Sequence, residues 1–358
     1  MLQSNQELIS NEIEQSEQVR CRATEAVATD GQCVTIGELF GLTDEDSRTR
    51  TIFRFPDVSD PLVPPANPHY CFRKSSLYEL LSFLVSPNGD ALFITGPTGS
   101  GKTSLVLETA ARLNYPVQSV TINGRMEFAE LRGLFTVCSP SPGEAPQTVF
   151  KYGPLVNAMR YGHILLLNEL DLADPAELAG LNDVLEGRPL IIAENGGEVI
   201  YPHPSFRVIA TGNSSGCGDE SGLYQGVITQ NLACMDRFRF MKVDYAQAKV
   251  EKGITKRLFP DFPTETLDKM IQFANEIRKA FVGGREGLNR TSITMSTRTL
   301  IRWVHLSTQL KNLPGVKNSL RYALDLALLN RANPQDQETI RQIAFQVFGK
   351  QWETKPLQ

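Results

Sequence analysis

Three features that would assign a functional class directly are missing from this sequence of 358 residues. No apolar run approaches the roughly 20 residues that a helix needs to span a bilayer. The six cysteines include no C-x-x-C pair, so the sequence contains neither a zinc pattern nor a disulfide framework. The formal net charge of −4 excludes a strong overall positive field that would coat nucleic acid, although it leaves a local basic pore open. We therefore expect a cytoplasmic protein with reduced thiols.

The composition changes along the chain and predicts two folded domains. Residues 1–34 are rich in Gln, Glu, Ser and Asn, which predicts a polar, mobile arm. In residues 35–244 short apolar strands alternate with helical segments, which is typical of a parallel sheet covered by helices on both faces. Residues 245–350 show helical periodicity and predict a helical domain, with a short tail at 351–358. The predicted fold class is therefore α/β followed by a C-terminal helical domain.

The segment GPTGSGKTS fits the pattern G-x-x-x-x-G-K-[ST] and follows an apolar strand. Glycines allow backbone N–H groups to surround a polyphosphate, and the helix that begins here adds its dipole. Lys102 is expected to reach the β- and γ-phosphates of ATP, and the Thr103 hydroxyl is expected to bind Mg²⁺. The predicted ATP-binding residues are Gly96, Pro97, Thr98, Gly99, Ser100, Gly101, Lys102, Thr103 and Ser104.

A second apolar strand, in the segment HILLLNELDL, ends at Asn168 and Glu169. ATPases of this class carry an acid for the magnesium shell at such a position, followed by a glutamate. Glu169 is the candidate that polarises the attacking water. Asn168 offers the metal site an amide oxygen without negative charge, and Asp171 is near enough in sequence to add charge. This predicts a slowed or an inactive ATPase, and a buried strand without a catalytic role is the plain structural alternative.

Three further polar residues stand at the ends of predicted strands and helices. Asn213 follows the strand VIATG, where its amide can hold the lytic water if that strand lies between the two named above. Arg237 precedes the last strand, where it can face a neighbouring subunit. Arg298 lies in the first turn of a helix and can reach the nucleotide from the helical domain. A turn-capping Asn and an Arg in a surface ion pair are the structural alternatives.

The order of these motifs resembles the AAA+ ATPases, in which a P-loop core is followed by a helical lid domain. Within them the chain resembles the MoxR and dynein-related branch, because residues 187–202 look like the β-hairpin inserted after the second strand, with a turn at Asn195-Gly196-Gly197. The segment HPSFRVIATGNSSGCGDESGLYQGVITQNLACMDRF is similar to the ATPase subunits of aerobic cobaltochelatases. The segment MSTRTLIRW follows the same pattern.

This resemblance implies a homo-oligomeric ring of six subunits with ATP and Mg²⁺ bound between them. It implies that Arg237 acts in trans, whereas four residues act in cis: Lys102, Thr103, Glu169 and Asn213. It also implies a partner protein with a von Willebrand A domain, and cobaltochelatase subunits of this type drive metal insertion. Three functions remain open at this point: a remodelling ATPase, an ATP-binding scaffold with weak hydrolysis, and a DNA-processing ATPase of a mobile element or phage. Residues 284–290 carry local positive charge, and residues 214–226 are a candidate pore loop.

Overall fold

The computed structural model describes most of the chain and contains eleven strands and fourteen α-helices in the described residues. These residues are 31–57, 59–138, 145–218, 226–282, 291–349 and 352. The strands are β1 (Gln32–Thr35), β2 (Thr51–Arg54), β3 (Ala91–Thr95), β4 (Val117–Thr121), β5 (Gly133–Cys138), β6 (Gln147–Tyr152), β7 (Ile164–Asn168), β8 (Leu190–Ile192), β9 (Glu198–Ile200), β10 (Arg207–Gly212) and β11 (Phe238–Lys242).

The helices surround the sheet in the first two thirds of the chain and stand alone in the last third. The first nine are α1 (Ile36–Phe40), α2 (Glu45–Thr49), α3 (Lys74–Val85), α4 (Lys102–Leu113), α5 (Phe128–Arg132), α6 (Pro154–Tyr161), α7 (Pro175–Leu178), α8 (Asn182–Leu185) and α9 (Leu232–Met235). The others are α10 (Ala248–Leu258), α11 (Thr264–Val282), α12 (Thr297–Gln309), α13 (Ser319–Ala327) and α14 (Pro334–Phe348). No helix in the described residues is long and apolar enough to cross a bilayer.

Five parallel strands form the central sheet, in the order β11–β3–β10–β7–β4. All residues of β7 and β10 are buried, because helices cover both faces of the sheet. Successive side chains of a strand point to opposite faces, so Leu165 and Leu167 enter one hydrophobic cluster while Ile164 and Leu166 enter the other. The predicted α/β fold class is confirmed.

The carboxyl ends of three strands meet at one edge of this sheet. Strand β10 lies between β3 and β7. The P-loop follows β3, Glu169 follows β7 and Asn213 follows β10. The strand order therefore meets the condition under which Asn213 was predicted to reach the site.

Three two-stranded antiparallel sheets accompany the central sheet. The hairpin β8–β9 lies inside the predicted insert at 187–202 and pairs Leu190 with Ile200. Its turn contains Gly196 at φ 71° and Gly197 at φ 76°, a conformation that favours glycine. The strand pairs β1–β2 and β5–β6 were not predicted, because their strands lack a clear apolar alternation that would separate them from loop.

The helices of the last third pack around a core of their own. Its largest buried side chains include Trp303 and Phe273, whose ring centroids lie 5.3 Å apart. Helix α14 begins after Asn333, whose side chain accepts a hydrogen bond from the Asp336 N–H. The apolar face of α11 is buried at Leu267, Met270, Ile271, Ala274, Ile277 and Phe281, in agreement with the helical periodicity predicted for residues 245–350.

Some predicted boundaries differ from the structure. Strand β1 begins at Gln32, inside the segment predicted as a mobile arm, and residues 1–30 lie outside the described residues. Trp352 lies in the predicted tail but is only 4% exposed, because its ring packs 5.1 Å from that of Phe348. The candidate basic segment at 284–290 lies outside the described residues, as do positions 219–225 of the candidate pore loop.

Candidate active site

The loop between β3 and α4 has a backbone that requires glycine at two positions. A Cβ atom on Gly96 would lie 2.2 Å from the carbonyl oxygen of Val243, and Gly96 has a φ of 147°. A Cβ atom on Gly99, at φ 69°, would lie 2.5 Å from Cβ of Ser296. Helix α4 starts directly after this loop, and the first N–H groups of a helix have no partner within the helix itself. The loop and the helix terminus together form a cradle suited to an anion.

Lys102 is a buried cation that has only neutral hydrogen-bond partners. Its side chain is 6% exposed, and Nζ donates to Gly96 O at 2.7 Å and to Asn213 Oδ1 at 2.9 Å. Within the described residues Lys102 forms no ion pair at 4.0 Å or less. Burial lowers the pKa of Lys102, because an ammonium group is costly to remove from water. The charges of Glu169 and Asp171 oppose this shift, and the charge of Arg298 adds to it. A phosphate group in the cradle would place negative charge in direct contact with Nζ.

Thr103 and Asn168, the two predicted metal ligands, contact each other. The Thr103 hydroxyl donates to Asn168 Oδ1 at 2.8 Å, and the Asn168 amide nitrogen donates to Ser119 Oγ at 3.0 Å. The amide nitrogen therefore faces β4, whereas its oxygen faces the cradle. A hydroxyl and an amide oxygen are hard donors that fit Mg²⁺, which binds few protein ligands and keeps water or phosphate oxygens. This donor pair fits the predicted cation.

Asn213 links the cradle to Glu169. Its Nδ2 donates to Glu169 Oε2 at 2.6 Å, while its Oδ1 accepts from Lys102. Glu169 adopts a left-handed backbone conformation at φ 57°, which is uncommon for a residue with a side chain and is frequent at functional sites. Burial raises the pKa of Glu169, and the charge of Lys102 opposes that rise. The three side chains form one continuous chain of hydrogen bonds.

The two predicted arginines lie in different places. Arg298 is exposed in the first turn of α12, which begins after Ser296, and a Cβ on Gly99 would lie 2.5 Å from Cβ of Ser296, so this turn stands beside the cradle. Arg237 instead donates from Nε to Glu186 Oε1 at 2.8 Å, near the start of β11. Among the described residues no hydrogen bond joins Arg237 to the cradle of its own chain. The structure therefore brings Arg298 to the site and leaves Arg237 outside it.

Comparison with known proteins identifies the family. The model of the AAA domain (dynein-related subfamily) matches residues 91–226, and the model of the CbbQ/NirQ/NorQ C-terminal domain matches residues 251–347. An uncharacterised protein of Staphylococcus saprophyticus is 30% identical over 243 residues, which are 68% of this chain and 87% of that protein. The chain belongs to the dynein-related AAA family. It is an AAA+ ATPase of the MoxR/CbbQ type, as the motif order predicted.

Two further comparisons describe this dynein-related AAA protein. It is similar to the aerobic cobaltochelatase subunit CobS of Sinorhizobium sp, with 28% identity over 326 residues, 88% of this chain and 90% of that protein. The chain is also similar to the solved structure of the RuvB Holliday junction branch migration motor of Thermotoga maritima. The match includes 80% of this chain and 72% of that chain, with 14% identity and a TM-score of 0.42. That distant likeness assigns no function.

Two residues that belong to no recognised motif donate hydrogen bonds to backbone oxygens of the cradle. Arg73, before α3, donates from its guanidinium to Ser100 O at 2.9 Å. The Tyr245 hydroxyl donates to Thr98 O at 3.1 Å. Burial lowers the pKa of Arg73, whose charge lies beside the phosphate-binding loop. The sequence contains no signal for these contacts, because Arg73 and Tyr245 lie far from the P-loop in the chain.

Asp171 also forms contacts in the site that the sequence did not indicate. It was predicted only to add negative charge near Asn168. In the structure it is fully buried, and its Oδ2 accepts hydrogen bonds from the backbone N–H groups of Asn213 at 2.7 Å and Ser214 at 2.9 Å. Its position two residues after Glu169 was the only sequence signal.

Proposed function

We propose that the protein is a ring-forming ATPase that couples the binding and hydrolysis of ATP to the remodelling of a partner protein. The observation that most supports ATP binding is the environment of Lys102. This cation is buried at the start of α4 without an ion pair in the described residues. Glu169 and Asp171 act on Lys102 through their charges but form no ion pair with its Nζ, and a buried cation without a contacting counter-charge favours a bound anion. The triphosphate of ATP is the anion that the P-loop geometry fits.

The side chains around Lys102 can perform the steps of phosphoryl transfer to water. The loop at 96–101 and Lys102 bind and orient the phosphates, and Thr103 and Asn168 would hold Mg²⁺ through two oxygens. When bound, Mg²⁺ neutralises charge that develops on the phosphate oxygens. Glu169 accepts a proton from, or orients, the attacking water, while Asn213 keeps the Glu169 carboxylate in place through a hydrogen bond of 2.6 Å. Positioning and electrostatics account for catalysis of this type.

Assembly into a ring completes the site in this proposal. Arg237 is half-buried, its acceptors among the described residues lie outside its own cradle, and we place its guanidinium at the ATP site of the neighbouring subunit. A guanidinium supplied in trans increases phosphoryl-transfer rates by about 10³–10⁵ in related enzymes. Arg298 would contact the nucleotide from the helical lid. A hexamer in the cytoplasm is the assembly that the family resemblance implies.

A Lys102→Ala variant tests ATP binding directly. We expect the variant to lose affinity for ATP with Mg²⁺ by at least about tenfold and to lose turnover, because the phosphates lose their buried counter-charge. Binding of a fluorescent ATP analogue and phosphate release are the measurements. Lys317→Ala, at an exposed lysine of the helical part, is the matched control and should behave as wild type. Tight ATP binding by the Lys102 variant would exclude the proposed phosphate site.

Asn168 favours a second function, an ATP-binding scaffold that hydrolyses slowly. Its amide oxygen accepts a hydrogen bond from Thr103 and its amide nitrogen donates one to Ser119, so a neutral residue is well accommodated at the proposed metal site. A metal site that loses one charged partner loses about 10–100-fold in metal affinity or activity. An Asn168→Asp variant should therefore raise magnesium-dependent turnover if the wild type is a slow scaffold. Unchanged turnover in this variant would contradict that role of Asn168.

The remodelled partner is a separate part of the proposal. One relative carries the name of a cobaltochelatase subunit, and we propose metal insertion with a partner that bears a von Willebrand A domain. Complex formation between the two purified proteins, measured in ATP and in ADP, tests this. If DNA instead stimulates turnover with a steep dependence on salt, a DNA-processing role replaces it.

A further inference from the structure

Asp171 occupies a position in the site that its sequence neighbours do not explain. It lies in the short 3₁₀ turn Leu170–Leu172 that follows Glu169. Its side chain is fully buried, and Oδ2 accepts three hydrogen bonds: from Asn213 N at 2.7 Å, Ser214 N at 2.9 Å and Ser214 Oγ at 3.2 Å. Hydrogen bonds to an ionised acceptor are the strong ones in proteins. One carboxylate oxygen therefore anchors two consecutive residues after β10.

The residue that is anchored is the one whose side chain joins the cradle to Glu169. The Asn213 amide bridges Lys102 and Glu169, and both of these hydrogen bonds depend on where its backbone lies. The preceding residue is packed directly against the anchor, since a Cβ on Gly212 would lie 3.0 Å from Cγ of Asp171. These contacts fix the position of the end of β10 relative to the 3₁₀ turn.

The same turn also contacts the chain segment that leads to Arg237. Ile228 N donates to the backbone oxygen of Asp171 at 2.9 Å, and Gln230 Nε2 donates to Ala173 O at 3.0 Å. Helix α9, at Leu232–Met235, follows directly. The turn and Ala173 after it therefore form hydrogen bonds with the chain on both sides of residues 219–225.

We infer that Asp171 is a positioning residue for ATP hydrolysis: by anchoring the backbone at Asn213 it holds the Asn213 amide between Lys102 and Glu169. The inference rests on the proposed ATPase function. Asp171 touches neither nucleotide nor water; it positions Asn213, and its negative charge also acts to raise the pKa of Lys102 and of Glu169. It should therefore affect the chemical step and leave the affinity of the cradle for ATP unchanged.

Two variants separate an effect on the chemical step from an effect on the affinity for ATP. Asp171→Ala should lower kcat by about tenfold or more, because a displacement of roughly 1 Å at a catalytic group has effects of this size. The Kd for ATP with Mg²⁺ should stay within about threefold of wild type, since cradle contacts are retained. Asp171→Asn should recover part of kcat through its amide oxygen. It should not recover all, because Oδ1 has no partner among the described residues and the new amide nitrogen would be a buried donor.

A matched control separates positioning from loss of stability. Asp336 is also buried and also accepts from a backbone N–H, that of Ser292 at 3.1 Å, but it lies in the helical part of the chain. Asp336→Ala should lower the Tm and leave kcat close to wild type at temperatures well below that Tm. If Asp336→Ala lowers kcat as much as Asp171→Ala at equal loss of Tm, the positioning role is wrong.

A double variant tests the route through Asn213. If Asp171 acts only through Asn213, the variant with both residues changed to Ala should be no slower than Asn213→Ala alone. Effects that multiply would overturn the inference, as would an Asp171→Ala variant with wild-type kcat. If Asp171→Ala does not fold, Asp171→Asn takes its place in the same cycle. Failure of the ATPase proposal would look different, because the wild-type protein would then show no magnesium-dependent ATP turnover.

Discussion

Two of the buried cations among the described residues, Arg278 and Lys102, have opposite surroundings. Glu251 accepts from the Arg278 guanidinium at 2.6 Å, and Met295 O accepts from its Nε at 2.7 Å. Lys102 has neutral acceptors only, and no ion pair among the described residues. A buried ion pair belongs to the folded structure, whereas a cation that has only neutral partners in a phosphate-binding loop favours an anionic ligand.

The buried ion pair should be essential for the helical part. Glu251→Ala leaves the Arg278 charge buried without its partner, and we expect a loss of about 3–5 kcal/mol in the free energy of unfolding. Urea unfolding followed by tryptophan fluorescence measures this part selectively, because both tryptophans of the chain, Trp303 and Trp352, lie in its core.

The control is a second ion pair between the same two helices. Lys252 of α10 and Asp268 of α11 lie 2.7 Å apart, but their side chains are 39% and 50% exposed. Asp268→Ala should cost no more than about 1 kcal/mol, because solvent screens such a pair. Equal losses in the two variants would show that burial of the Arg278 pair has no special effect.

The P-loop and the start of α12 touch each other directly. Ser296 caps α12 by accepting from Thr299 N at 3.1 Å, and its Cβ would lie 2.5 Å from a Cβ on Gly99. The first turn of α12 carries Arg298, so the contact places a lid residue beside the cradle. The position of one helix therefore depends on a residue in a loop about two hundred positions away.

Substitution of Gly99 should disturb this contact. Gly99→Ala forces the loop and α12 apart, and we expect the affinity for ATP to fall about tenfold, equivalent to about 1.4 kcal/mol. The measurement is the Kd of a fluorescent ATP analogue. Gly89→Ala is the matched control, since Gly89 also has a positive φ of 86° but has nothing within 4 Å of its Cβ position. Ser296→Gly should partly restore affinity in the Gly99 variant, and no restoration would argue against the contact as the cause.

At the scale of the whole molecule, the cradle and Arg237 belong to different surfaces of one chain. The cradle lies at the carboxyl ends of β3, β7 and β10, whereas Arg237 is held by Glu186 after α8. A closed ring can bring the Arg237 surface of one subunit to the cradle of the next. In the proposed ring, hydrolysis would depend on assembly.

Mixing two inactive variants tests the role of Arg237 in trans. Arg237→Ala and Glu169→Gln should each abolish most turnover while ATP binding remains. Mixed rings contain interfaces that join an intact Arg237 to an intact Glu169, so phosphate release should recover in the mixture. Arg188→Ala is the control, because Arg188 pairs with the same Glu186 but is 63% exposed and should retain turnover. A mixture that stays inactive would assign Arg237 to its own subunit or to no catalytic role.

Local sequence patterns predict the strands of the site and the order of the motifs. The strands that end at Thr95, Asn168 and Gly212 were predicted because a parallel strand covered on both faces is a continuous apolar run. The cradle residues 96–104 were predicted because phosphate binding imposes a local glycine pattern. The strand pairs β1–β2 and β5–β6 were not predicted, because their strands are partly exposed and contain no continuous apolar run.

The contacts between the polar groups of the site could not be predicted from local sequence. Asp171 lies 42 residues from Asn213 in the chain, and Lys102 lies 111 residues from it, so no local pattern relates them. Their contacts arise because β10 is inserted between β3 and β7. Local sequence determines strands and turns through short-range sterics and burial, but the partners of a buried charge depend on strand order, which is set by packing of the whole sheet.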